Sequence, residues 1–411
     1  MQKDKVPAFV FNCHYNGLAL IQSLGRQGIP VYALDTKKSI GTRSKYAKYI
    51  KVADPLDNER LFIDQLIELS KKVKGKPLLL PTNDHWSEAI SRHKDLLSEH
   101  CIVSASDISV TELLLDKEKF AYWCMEKEVI APKAYSIEQL NNKDFNVDYP
   151  IAIKANARRR SSDGLNSKEW ASKADYLRFN ICHSRQELNK YRAIAEKNNI
   201  PVFLQQLVNG RSDSMRTIGV FSNAGEVKGI LYGRKVRGYP AQFGDCIVGE
   251  ANAVPSWARE LVTLVCKELN YTGIAEFEVM IDKNSGEKYL IEINPRSWSW
   301  IGVAPHAGVD LAWIAYKELI LDEPVNKCIE SCIDGNPVVF MKVLEDFQNT
   351  VFFYRYDNAR DWSMGPIKWW KQYKGKKKVY AEFTKDDPLI GVYSTLSVSK
   401  GFLAKLIKLV K

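Results

Sequence analysis

The chain has 411 residues, the length of two or three domains, with 45% hydrophobic and 26% charged residues. That balance excludes a disordered chain, and with no run of about eighteen apolar residues a membrane-spanning helix is excluded too. The net charge of +10 sits mostly at the end, where residues 366–411 carry eleven lysines against Glu382, Asp386 and Asp387, so the nearly balanced remainder offers no basic groove for nucleic acid.

The first apolar run is broken at Asn12, His14 and Asn16, unlike a signal peptide. Strands are expected at 8–11, 30–34, 77–80 and 101–105, and helices at 18–24, 58–73 and 87–97. This βαβ rhythm predicts a small parallel sheet whose ligands bind beyond the carboxyl ends of its strands. Those ends are residues 12–17, Asp35 and residues 82–84. The first turn lacks GxGxxG and the chain lacks GxxxxGK[ST], so neither a dinucleotide fingerprint nor a P-loop is present.

Asp116 is a good cap for a helix over 117–126, and Pro132 breaks the chain soon after it. A strand over 149–154 ends on Lys154. Residues 155–172 are polar, with Arg158, Arg159 and Arg160, and read as a mobile loop. A helix over 184–197 leads to a strand at 201–205. Strands at 214–221 and 227–233 form a hairpin around Asn223, Ala224 and Gly225. A helix over 256–269 precedes strands at 273–281 and 288–293, joined by a turn at 282–286.

These last two strands carry the chemistry. Glu276 and Glu278 share a face of the first by the two-residue period, as Glu292 and Asn294 do on the second. Phe277, Val279, Ile291 and Ile293 point the other way, into a core. Acidic side chains on one sheet face repel, and a divalent cation relieves that cost; hard oxygen donors suit magnesium. A half-solvated acidic hairpin is the plainer reading, but it handles Glu-x-Asn-Pro-Arg at the end of a buried-type run poorly. The eight cysteines form no CxxC pair, and Cys328 and Cys332 have no companions for a zinc site. They read as reduced thiols of a cytoplasmic protein.

Five pieces in a fixed order give the chain a resemblance to the ATP-grasp superfamily. They are Asp116-Lys117 at a helix start, Pro150-Ile-Ala-Ile-Lys154, Phe203-Leu-Gln-Gln206-Leu-Val-Asn-Gly210, Glu278 with Glu292-Ile-Asn294-Pro-Arg296, and His306-Ala-Gly-Val-Asp310. Within the superfamily the chain is most similar to the predicted carboligases and carboxylate–amine ligases, which include D-aspartate ligases. The resemblance covers about residues 1–320.

It implies an α/β and α+β architecture: a parallel-sheet pre-ATP-grasp domain over 1–110, an ATP-grasp domain of two subdomains over 111–325 with a mobile lid at about 133–206, and a basic, aromatic-rich extension over 326–411. ATP would lie between the subdomains. The resemblance gives Lys117, Lys154 and Lys173 to its phosphates, Gln205, Gln206, Leu207 and Val208 to the hinge at adenine, and Asp213 to the ribose. The family often has a glutamate in that hinge, where this chain has two glutamines. Glu278, Glu292 and Asn294 would hold one or two Mg²⁺, with Mn²⁺ as the alternative, and Arg296 and Lys154 would act at the transferred phosphoryl group. The polar loop would close over the triphosphate. The segment holding Lys235, Arg237, Pro240, Phe243 and Gly244 would line the acceptor side or form a basic surface strand.

The implied reaction activates a carboxylate as an acylphosphate and joins it to an amine, chemistry that requires no Ser/His or Cys/His pair. An amino acid and a cell-envelope or surface-polysaccharide precursor are the implied small-molecule substrates. The competing readings are a non-catalytic ATP-binding scaffold at the membrane and a biotin-type carboxylase subunit. His14, His85 and His306 read as structural.

Beyond about 325 the resemblance thins. A strand is expected at 337–344. Trp362, Trp369, Trp370 and Tyr373 are interleaved with Lys368, Lys371, Lys374 and Lys376. A helix over 399–411 would place Phe402, Leu403, Leu406, Ile407, Leu409 and Val410 on one arc and Lys400, Lys405, Lys408 and Lys411 on the other. It either packs on the core or makes a peripheral contact with the anionic inner face of the cytoplasmic membrane.

Overall fold

The computed structural model describes residues 5–141, 147–156, 172–174, 176–241, 244–333, 336–356 and 359–410. Three sheets organise it. The first is wholly parallel, in the order β3-β2-β1-β4-β5, with β1 Ala8–Phe11, β2 Val31–Asp35, β3 Ala47–Lys51, β4 Leu78–Leu80 and β5 Ile102–Val103. Every residue of β1 is buried, as a central strand covered on both faces requires. β3 was not foreseen, because its lysines and partial burial mark an edge strand that reads as loop. The strand order turns at β1 and β4, and such a switch point opens a crevice at the strands' carboxyl ends.

The second sheet is antiparallel, in the order β6-β9-β7-β8: β6 Ala134–Tyr135, β7 Ile151–Ala155, β8 Asn180–Cys182 and β9 Val202–Gln206. Residues 157–171, most of the polar segment between β7 and β8, lie outside the described residues.

The third sheet is the largest. Its path is β14-β13-β10-β11-β12-β16-β17, with β15 Ile329–Glu330 paired to β11. The strands are β10 Met215–Asn223, β11 Glu226–Tyr239, β12 Asp245–Asn252, β13 Gly273–Ile281, β14 Lys288–Asn294, β16 Val338–Met341 and β17 Lys378–Tyr380. Residues after 325 therefore complete this sheet. One apolar core runs through Val10 and Leu80 of the first sheet, Phe221 and Leu231 of the third, the helix Leu311–Ile320, and Phe340 and Val379.

Two strand glycines let aromatic rings lie on the third sheet. A Cβ at Gly219 would stand 1.9 Å from the Trp298 ring, and one at Gly233 would stand 2.6 Å from the Trp300 ring. The two indoles meet edge to face at 6.5 Å and fix the chain just past β14.

The last helix is longer than expected. It runs over Leu389–Val410 and buries Ile390 against Leu18 and Ile40. Apart from Phe402, the side chains of the expected apolar arc lie outside the described residues.

A buried carboxyl follows β17. Glu382 is 0% exposed; its Oε2 accepts from the Val343 backbone N–H at 3.1 Å, and Oε1 has no partner among the described residues. Burial pushes its pKa up to about 8. The folded protein thus keeps a proton that the unfolded chain releases in the ordinary carboxylate range. Its stabilising effect is complete below that range and is lost as pH rises through about 8. Urea midpoints between pH 6 and 9 should fall more steeply for wild type than for Glu382→Gln; parallel profiles would contradict a protonated Glu382.

Candidate active site

β13 and β14 place Glu278 opposite Glu292 and Glu276 opposite Asn294. Glu276, Glu278, Glu292 and Asn294 fall opposite one another as expected, but Ile291, expected in the core, lines a cavity instead: the register shifts beside the Glu278–Glu292 pair, and Leu290 joins Phe277, Val279 and Ile293 in the core. The Glu278–Glu292 pair stands where two cavities meet.

The first cavity, about 530 Å³, is bounded by Gln205, Gln206, Leu207 and Val208 at one side and by Lys117, Lys154, Glu278 and Glu292 at another. Met215, Met280 and Ile291 give it an apolar wall. β9 ends at Gln206, which leaves Leu207 and Val208 outside the ladder. A flat heterocycle needs this combination: apolar faces and a strand end with free backbone groups.

The charged end is tightly coupled. Lys117 Nζ lies 2.8 Å from Glu292 Oε2, which holds the Glu292 carboxyl down at about 2 and raises the Lys117 pKa. Lys154 Nζ donates to Gln205 Oε1 at 2.5 Å. Burial, then the neighbouring Lys117 charge, pulls its pKa down to about 8. Lys235 Nζ is 3.1 Å from Glu278 Oε1; burial opposes its charge, but Glu278 and Glu276 outweigh that and raise its pKa. Behind these, Glu276 accepts from Thr217 Oγ1 at 3.2 Å and from Asn294 Nδ2 at 3.1 Å. Its carboxyl is pushed up to about 8 by burial and by Glu278.

The second cavity, about 390 Å³, shares Glu278, Glu292, Lys235, Arg178 and Gly244 with the first. It reaches the carboxyl ends of β1 and β4 at His14, Asn16, Thr82 and Asp84, the crevice expected from the strand order. Asn294, Arg296, Trp298, Trp300 and Lys342 also line it.

Arg296 lines the second cavity, whereas Asp213, Lys173 and Arg237 meet a different placement. Arg296 is held by Asp84, Nε to Oδ1 at 2.9 Å, with Glu276 at 3.7 Å. Asp213 lines neither cavity and pairs with Arg211 at 3.0 Å and Lys283 at 3.6 Å. Lys173 is exposed and also lines neither. Arg237, expected beside the acceptor, turns away to Asp346, while Lys235, Pro240 and Gly244 do line the cavities; Phe243 lies outside the described residues. Sequence reading placed Glu276 on the acidic face and Asp84 at a ligand-binding strand end without giving either a specific role, and it passed over Lys342. Asp84 had a signal, its position at a strand end beside the switch point; Lys342, past the end of the resemblance, had none.

The donor set fits magnesium bound together with a polyphosphate. No group of three or more His, Cys, Asp or Glu side chains among the described residues forms a ready metal site. Two carboxylates and an amide oxygen face the cavities, with the Asn294 nitrogen turned to Glu276. Mg²⁺ takes few protein oxygens and completes its shell with water and phosphate.

No protein-family model matches the chain. Among solved structures, N5-carboxyaminoimidazole synthetase from Staphylococcus aureus complexed with ADP superposes with a TM-score of 0.59 at 15% identity, over 84% of this chain and 85% of that one. The chain has the ATP-grasp fold. A second ATP-grasp structure, the L-amino acid ligase from Bacillus licheniformis, gives a TM-score of 0.56 at 14% identity, over 80% and 76% of the two chains. A sequence relative, D-aspartate ligase of Enterococcus faecium (strain Aus0004), is 24% identical over 302 residues, 68% of this chain and 69% of that protein. Biotin carboxylase from Campylobacter jejuni shares the fold as well, with a TM-score of 0.58 at 15% identity over 80% of this chain and 73% of that one, so it is the sequence relative that points to a ligase.

Proposed function

We propose that the protein is an ATP-dependent carboxylate–amine ligase. The observation that carries this is the Glu278–Glu292 pair at the junction of a half-apolar cavity and a polar one. The first suits ATP, with adenine at the 205–208 hinge and phosphates towards Lys117 and Lys154. Glu278, Glu292 and Asn294 would hold one or two Mg²⁺, which supply charge neutralisation at the phosphates when bound; Mn²⁺ is the alternative ion.

A substrate carboxylate oxygen attacks the γ-phosphorus, the bond to the β-phosphate oxygen breaks, and ADP leaves. The amine nitrogen then attacks the acylphosphate carbonyl, loses a proton, and expels inorganic phosphate. Lys117 and Lys154 position and neutralise the phosphoryl oxygens, and Arg296, anchored by Asp84, faces the cavity where the carbonyl is attacked. The relative's name makes D-aspartate the first substrate to test, as amine and as carboxylate. ADP release should be screened over D- and L-amino acids with carboxylate partners; if no pair stimulates it, the ligase reading fails.

We further propose that the basic C-terminal part rests on an anionic membrane face. No described helix is long and apolar enough to cross a membrane. Ile367 and Trp370 are 73% and 76% exposed on a helix that also carries Lys368 and Lys371, and Leu389, Val392 and Leu396 are exposed on the last helix. Such aromatic–lysine surfaces bind anionic interfaces. Ile367→Ser/Trp370→Ser should lower flotation with anionic vesicles; recovery equal to wild type would sink the idea.

A further inference from the structure

The polar cavity contains a second kind of recognition, for an anion. One wall is the start of the helix Tyr15–Arg26, since His14, Tyr15 and Asn16 all line the cavity. The cap residue His14 makes no side-chain cap bond. Asn16 Oδ1 takes the Gly17 N–H at 3.0 Å, and the dipole of this twelve-residue helix still points its positive end there.

Lys342 comes to the same wall from the other end of the chain, immediately after β16. Its Nζ lies 4.9 Å from the Tyr15 ring centroid. The residue is only 6% exposed, and no hydrogen bond or ion pair of its ammonium is found among the described residues. Other cations of the cavity are engaged, Lys235 by Glu278 and Arg296 by Asp84. The acid behind Lys342, Glu382, directs an oxygen to the Val343 N–H instead. A buried ammonium resting on an aromatic face still has donors to satisfy, and an anion in the cavity satisfies them.

We propose that Lys342 and the amino end of the helix Tyr15–Arg26 form a carboxylate-binding subsite, so that the substrate entering this cavity is a small molecule carrying a carboxylate besides its reacting group. Calling the ligand a substrate rests on the ligase reading; binding of the anion does not. The subsite lies across the Glu278–Glu292 pair from the nucleotide cavity. It selects the partner without touching ATP, which makes Lys342 a specificity-determining residue.

The test is binding of succinate, D-aspartate and the neutral succinamide to the full chain with Mg·ADP present, by calorimetry, for wild type, Lys342→Met and Lys342→Arg. Succinate or D-aspartate should bind wild type, and Lys342→Met should weaken that binding about tenfold or more, with Lys342→Arg recovering part of it. ADP affinity should be the same in all three, which a misfolded variant would not preserve. Equal binding of succinate and succinamide, no dicarboxylate binding, or unchanged affinity in Lys342→Met with ADP binding intact each overturns the proposal. A protein that binds succinate through Lys342 yet releases no ADP with any substrate pair would instead count against the ligase reading alone.

Discussion

Replacing Glu292 with glutamine is expected to lower substrate-stimulated ADP release by roughly a thousandfold, with little change in thermal stability. The side chain is a carboxylate held far below its ordinary range by Lys117, 2.8 Å away. It is therefore charged at every working pH and available to a hard cation. Glutamine keeps the shape and one oxygen but removes the charge. Lys117 then faces the cavity without its partner, and Mg²⁺ loses one of two anionic donors. Raising Mg²⁺ tenfold should recover part of the activity, because the defect is in metal and phosphate positioning. Steady-state ADP release against Mg²⁺ concentration reads this directly. A Glu292→Gln enzyme with wild-type turnover would remove Glu292 from the site.

The largest effect on stability is expected at Asp346. Arg237 Nε and Nη2 donate to Asp346 Oδ1 and Oδ2, both at 2.8 Å, and the side chains are 5% and 0% exposed. Trp369 Nε1 donates to the same carboxylate at 2.6 Å, and Tyr373 and Gln372 complete the ring around the guanidinium. Removing one partner leaves a buried charge without compensation, so Asp346→Ala should cost about 3–5 kcal/mol. Arg237→Met/Asp346→Leu should recover most of that, since replacing both charges with apolar groups leaves nothing unpaired. Urea unfolding of the three proteins measures it. If the double variant is as unstable as the single one, packing rather than charge is responsible. The same network shows why deletion of residues 366–411 is no clean test of membrane binding: it removes Trp369, Tyr373 and β17 from the fold.

Local chemistry made much of the site legible. The hairpin of β13 and β14 was readable as far as period two runs, which put Glu276, Glu278, Glu292 and Asn294 on one face but did not display the register shift that turns Ile291 to the cavity. The helix Lys117–Glu126 was readable from its cap, and Asp116 does accept from the Lys119 N–H. What could not be read is what depends on distant pairing. Asp213 lies next to the hinge in sequence, yet Arg211 and Lys283 draw it off the cavity. Arg237 and Lys235 are two apart and share a strand, but one meets Asp346 and the other Glu278. A register shift on β11 between them separates their fates. β16 lies within the strand expected at 337–344, but its pairing with β12 and β17, and β17 itself, depend on edges that no local pattern displays.

The late strands also impose an order in time. Every described residue of the nucleotide cavity has been synthesised by Glu292. The polar cavity lacks Lys342 until some fifty residues later, and the Arg237 guanidinium waits for Asp346 and then Tyr373. On the ligase reading, the residues proposed to hold ATP are all made before the residue proposed to select its partner.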